Sequence, residues 1–141
     1  MRILLDTNIV VDFLTKRQPW YQDTVRLFDL MARGAFEGYV SAHAITTVDY
    51  LARKKIKESA AGRRSLLLSL LTHVQVGTVA RATIDMALGS PIQDFEDAVA
   101  WAVASDLGCD FILTRDQRDF GDSSPGTISP LTLLTHLRSF G

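Results

Sequence analysis

Short apolar runs alternate with helix-length stretches along this chain, and that alternation limits its possible folds more than any other property of the sequence. RILLD begins the series with a run of a length suited to one buried strand. Thr7 and Asn8 then open a helix through IVVDFLTK, which RQPWY stops. QDTVRLFDLMARG carries apolar residues at Val25, Leu27, Phe28, Leu30 and Met31, and Gly34 suits its C-terminal cap. FEGYVSA reads as the second strand, AITTVDYLARKK and ESAAGRRSLLLSLLTHV as two helices, VQVGTV as the third strand and RATIDMAL as another helix. DFEDAVAWAVASDLG reads as a helix closed by Gly108. It is apolar nearly all round from Ala98 to Ala104 and is expected to be buried on several sides. DFILTRD gives the fourth strand, GTIS a short edge strand, and PLTLLTHLRSF a last helix with Pro130 in its first turn. Strands alternating with helices predict an α/β layered fold around a central, mainly parallel sheet of four or five strands.

The 141 residues are expected to form one domain, 1–141, with enough apolar material for a core. With 47% hydrophobic and 22% charged residues, the composition excludes a disordered chain. A formal net charge of −1 gives no general pull toward nucleic acid, so any such role must rest on local patches. Cys109 is the sole cysteine, which excludes an internal disulfide and fits a reducing compartment; it reads as a small buried hydrophobe. MRILLDTN reaches an acid too soon for a signal peptide, and no run is long enough to span a membrane. The expected location is the cytoplasm.

In parallel sheets ligands bind beyond the carboxyl ends of the strands. Asp6 ends the first strand and Asp116 follows the fourth, while Asp94, Glu96 and Asp97 crowd the start of the helix that leads to the fourth. Each has a local explanation. Asp94 reads as an N-cap, with Asp97 at the third helical position as in a capping box. Asp6 can cap the helix at Thr7, and Asp116 can start a turn. The combination asks for more, because carboxylates gathered at one rim need a cation. Hard oxygen ligands without a matching His or Cys set favour Mg²⁺ or Mn²⁺ over Zn²⁺. His43, His73 and His136 show no ligand spacing and read as structural.

LLDTNIVVDFL near the start, DFEDAVAWAVASDLGCDFILTRDQRDF near the end and the element order between them resemble the PIN domain family, metal-dependent nucleases that include VapC-like toxins of bacterial toxin–antitoxin pairs. The resemblance covers almost the whole chain. It implies a PIN-like three-layer sandwich and hydrolysis of RNA phosphodiester bonds, with a metal activating water in place of a protein nucleophile. It also implies that Asp6, Asp97 and Asp116 hold one or two Mg²⁺ or Mn²⁺ ions, with Asp94 as a further candidate and Asn8 and Thr114 in support. Its implied partners are RNA, a cognate antitoxin of a type II pair and a second copy of the chain. One position departs from the pattern. Many relatives place a Glu on the helix after the second strand, where this chain has Thr47; Asp49, two residues on, points well off that face. The site is expected either to work with fewer acids or to use Asp94 in that place.

RNA needs positive charge around an acidic pit. ARKKIKESAAGRR supplies Arg53, Lys54 and Lys55 among its cations, and Arg115 adjoins Asp116; these are the candidate RNA contacts. A solvated helix surface is the competing reading of that basic run. The SLLLSLL run reads most simply as core, with a dimer or antitoxin contact as the alternative. Two other functions remain in view. A PIN-like module that binds RNA or protein without cutting would follow from Thr47. An aspartyl-phosphate phosphotransferase would use Asp6 as nucleophile, although such enzymes usually carry a second Asp where Asn8 stands.

Overall fold

A computed structural model of the chain describes residues 1–138. Its elements run β1 (Arg2–Leu5), α1 (Thr7–Leu14), α2 (Tyr21–Ala32), β2 (Glu37–Ser41), α3 (Ala42–Lys55), α4 (Ala60–Leu71), β3 (Gln75–Gly77), α5 (Arg81–Leu88), α6 (Phe95–Asp106), β4 (Phe111–Leu113), a 3₁₀ turn at Gln117–Phe120, β5 (Gly126–Ile128) and α7 (Pro130–His136). Ser139 and Phe140, read from sequence as part of the last helix, lie outside the described residues.

The strands form one sheet in the order β3-β2-β1-β4-β5, and every pairing is parallel. From the central β1 the chain winds outward to β2 and β3, then returns to the other side of β1 for β4 and β5. The switch point therefore lies between β1 and β4, where Ile3 faces Phe111 and Leu5 faces Leu113.

The period-two alternation of β1 divides two cores. Ile3 and Leu5 pack on one face with Val40, Leu113 and Ile128, against Ile9, Val10 and Val11 of α1 and Leu27 and Phe28 of α2. Leu4 and Ile112 point to the other face, against Ala100, Val103 and Ala104 of α6. The opposite side of α6, at Ala98, Val99 and Ala102, packs with Ala87 of α5. Small residues let α6 lie between the sheet and a second helix, as its all-round apolar pattern predicts. Gly108, at φ +65°, ends that helix in a left-handed conformation that costs glycine nothing sterically.

The leucine run of α4 is a correction. Only Leu70 is buried, while Leu68 and Leu71 are exposed. The physical reason is position: α4 leads into β3, the outermost strand on its side, so little protein lies beyond it. No helix among the described residues is long and apolar enough to cross a membrane.

Candidate metal centre

Asp6 leaves the carboxyl end of β1 and caps α1. Its Oδ1 accepts the Thr7 amide at 2.8 Å, and its backbone amide continues the sheet by donating to the Leu113 carbonyl at 3.0 Å. Its Oδ2 accepts the hydroxyl of the fully buried Thr114 at 2.7 Å. The same Thr114 oxygen accepts the Asp116 amide at 3.0 Å and Asn8 Nδ2 at 3.4 Å, and Asn8 Nδ2 also donates to Asp116 Oδ2 at 3.1 Å. The two strand ends are thereby tied through neutral donors, with Asp6 and Asp116 on either side of Thr114.

The third contribution comes from the start of α6. Asp94 is the N-cap, its Oδ1 accepting the Asp97 amide at 3.0 Å. This fixes the first turn, so that Glu96 and Asp97 face the strand ends. Asp6, Asp94, Glu96, Asp97, Asp116 and Asp119 all line one cavity of about 480 Å³, which Asn8 and Thr47 also line. The cations on its wall are Arg17 and Lys55. A larger cavity of about 650 Å³, lined by Ile92, Trp101, Arg118 and Phe120, adjoins it and shares Asp94 and Asp119.

Crowding of like charge is visible in the acids' proton affinities. Burial pushes the Asp97 carboxyl up to about 7, helped by the charges of Asp6, Asp94, Asp119 and Glu96. Burial likewise raises Asp6, with Asp116 and Glu96 adding to the effect and the Thr114 and Thr7 hydrogen bonds opposing it.

The donor chemistry fits a hard divalent cation. Every acid on the wall offers oxygen, and no His or Cys lines the cavity. Asn8 Oδ1 is buried without a hydrogen-bond partner beside Asp116, an unsatisfied acceptor of the kind a cation or water satisfies. The side chains share a cavity rather than a coordination sphere: among the described residues, no three His, Cys, Asp or Glu side chains stand ready to hold one ion. Both oxygens of Asp6 and both of Glu96 are instead turned to hydrogen-bond donors of the protein.

The sequence-derived cations separate. Lys55 lines the cavity, whereas Arg53 and Lys54 do not and lie beside the Tyr50 ring, 5.8 and 4.5 Å from its centroid. Arg115 is committed elsewhere. Its Nε and Nη2 donate to the two oxygens of Asp12 at 2.7 and 3.3 Å, and its guanidinium lies 3.8 Å from the centre of the Trp20 ring. Sequence reading missed this pair, although an acid inside the apolar run IVVDFL signals a buried group in need of a partner. It also gave no role to Glu96, whose carboxylate bonds Thr7 and Thr47, or to Arg17 and Asp119.

A parallel sheet with acids gathered at its switch point defines an α/β domain with an acidic cavity at its rim, and similarity to known proteins narrows that class. Residues 2–118 match the PIN domain family, and the chain belongs to that family. It is similar to the protein named ribonuclease VapC1 of Aquifex aeolicus (strain VF5), with 25% identity over 118 residues covering 82% of each chain. Two solved structures share the fold. One is VapBC2 from Rickettsia felis bound to a DNA fragment from their promoter, with a TM-score of 0.65, 16% identity, and coverage of 92% of this chain and 98% of that one. The other is VapC20 of Mycobacterium tuberculosis, described as a sarcin–ricin loop cleaving toxin, with a TM-score of 0.62, 18% identity, and coverage of 78% and 86%.

Proposed function

We propose that this protein is a Mg²⁺- or Mn²⁺-dependent ribonuclease of the VapC kind, hydrolysing RNA phosphodiester bonds in the cytoplasm as the toxin of a type II toxin–antitoxin pair. The observation that carries the reading is the gathering of six carboxylates around one cavity at the carboxyl ends of β1 and β4, with Asp97 raised to about 7 by burial and by its neighbours. Membership of the PIN family supports the reaction class. The similar ribonuclease and the VapBC neighbour support an RNA substrate and an antitoxin partner, and a homodimer belongs to the same reading.

Asp6, Asp97 and Asp116 would hold the ion, with Asp94 fixing the turn that presents Asp97. A bound divalent ion supplies Lewis-acid charge to a water and to the phosphate oxygens. Thr114 orients Asp6 and, through Asn8, Asp116, without adding positive charge that would weaken their hold on a cation. Lys55 and Arg17 give the anionic backbone of RNA a landing place beside an otherwise repulsive cavity.

Incubating the purified protein with structured RNA and Mn²⁺ tests the reading. The native protein should cut, EDTA should stop it, and Asp6→Asn should not cut. Equal cleavage by the native and substituted proteins would sink it. Two observations favour a second reading, a PIN-like module that binds RNA or a partner and cuts nothing: Thr47 lacks a carboxylate, and among the described residues no three acids stand ready for one ion. RNA binding without cleavage at any Mn²⁺ concentration would establish that alternative.

A further inference from the structure

Glu96 sits at the second position of α6, and its carboxylate joins three helices. Oε1 accepts the Thr7 hydroxyl of α1 at 3.1 Å, and Oε2 accepts the Thr47 hydroxyl of α3 at 3.3 Å. Asp94, the acid suggested by sequence for the place vacated at Thr47, is exposed and spends Oδ1 on the Asp97 amide.

The partners of Glu96 differ from those of the structural acids nearby. Asp12 is answered by Arg115 at 2.7 Å and Asp49 by Arg63 at 3.1 Å. Hydroxyls orient a carboxylate while leaving its charge in place. Glu96 lines the same cavity as Asp6, Asp97 and Asp116. A residue kept only to join helices would be better served by a neutral amide, which can accept from one hydroxyl and donate to the other without repelling its neighbours.

We propose that Glu96 is a further metal-binding carboxylate of this cavity, turned toward it by Thr7 and Thr47, and that it supplies from α6 the charge that α3 lacks at Thr47. The inference rests on the cavity's being a divalent-metal site. The longer Glu side chain makes the exchange of positions feasible: the Thr47 hydroxyl already touches the Glu96 carboxylate, so an acid rooted at either residue reaches the same region.

Mn²⁺ affinity of the full chain, read from the electron paramagnetic resonance signal of free Mn²⁺, tests this without any nuclease assay. Melting in EDTA verifies that each variant folds. Glu96→Gln should weaken Mn²⁺ binding by roughly tenfold to a hundredfold, while its melting temperature in EDTA equals or exceeds the native value. Adding Thr47→Glu to Glu96→Gln should restore most of the affinity. Thr47→Val, which keeps the acid and removes one orienting hydroxyl, should weaken binding by a smaller factor. Native affinity in both Glu96→Gln and Thr47→Val, beside a loss in Asp6→Asn, would overturn the proposal and leave the metal site standing. Failure of the double variant to recover would overturn the equivalence of positions 47 and 96. A native protein that binds no Mn²⁺ would overturn both the proposal and the metal site on which it rests.

Discussion

Two aspartates near the amino end of this chain meet burial in opposite ways. Asp12, fully buried on α1, is bonded at both oxygens by Arg115, whose guanidinium is in turn covered by Trp20. Asp6, six residues earlier and nearly as buried, receives an amide and a hydroxyl and no cation. Arg115 is the immediate neighbour of Asp116, so a cation stands next to the acid cavity and is turned away from it. The cavity is negative because six acids outnumber Arg17 and Lys55 on its wall, while Arg115 is bound to another acid. The protein thus neutralises one buried aspartate and leaves the other without a cation, which is the contrast on which the proposed metal site rests.

The largest expected effect comes from breaking the neutralised side. Arg115→Ala strips Asp12 of its partner in a fully buried position and should cost about 3–5 kcal/mol in chemical denaturation. A loss below about 1 kcal/mol would mean that the pair is a surface ion pair in effect, and the contrast would disappear. Next comes the hydroxyl that holds Asp6. Thr114→Val leaves Oδ2 of Asp6 and the Asp116 amide short of partners and should cost about 1–3 kcal/mol, together with cleavage activity. Retained activity in that variant would show that Asp6 orients itself without help.

The pH response sharpens the other side. Asp97 is raised on folding from its ordinary 3.8 to about 7, so the native state holds its proton more tightly than the unfolded chain. The stability this contributes is fully present below about pH 3.8 and is lost as pH rises through 7. In EDTA the melting temperature should therefore fall between pH 5 and 8, and Asp97→Asn should flatten that slope. A slope unchanged by the substitution would place the repulsion elsewhere. The smallest effect belongs to Lys55→Ala, which should raise KM for RNA a few-fold, leave kcat near native, and reduce the salt dependence of binding.

The strands, their order of appearance and the three aspartates were legible because each is a local signal: a short apolar run, an acid at its end, a capping residue before a helix. Asp94 and Asp6 do cap their helices, although among the described residues the Asp97 side chain does not return the bond of a capping box, and the cavity is built from the same residues. What local pattern could not give was direction. Arg115 and Asp116 are neighbours in sequence, yet the first turns to Asp12 and the second to Asn8, one helical turn apart on α1, and no local pattern selects between those partners. Glu96 was visible at the helix start but received no role for a similar reason: its partners Thr7 and Thr47 lie 89 and 49 residues away. The leucines of α4 were misplaced because a helical apolar run does not reveal that its strand will occupy the edge of the sheet.

The strand order carries a consequence for the sequence of events at the ribosome. β1 finds its first neighbour, β2, within about forty residues, yet its other flank stays open until β4 emerges at Phe111–Leu113. Thr114 and Asp116, bonded in the finished fold to groups 108 residues earlier, arrive later still. A nascent chain thus carries Asp6 with nothing opposite it until β4 follows, and the acid cavity comes into being only after residue 116 has cleared the exit tunnel.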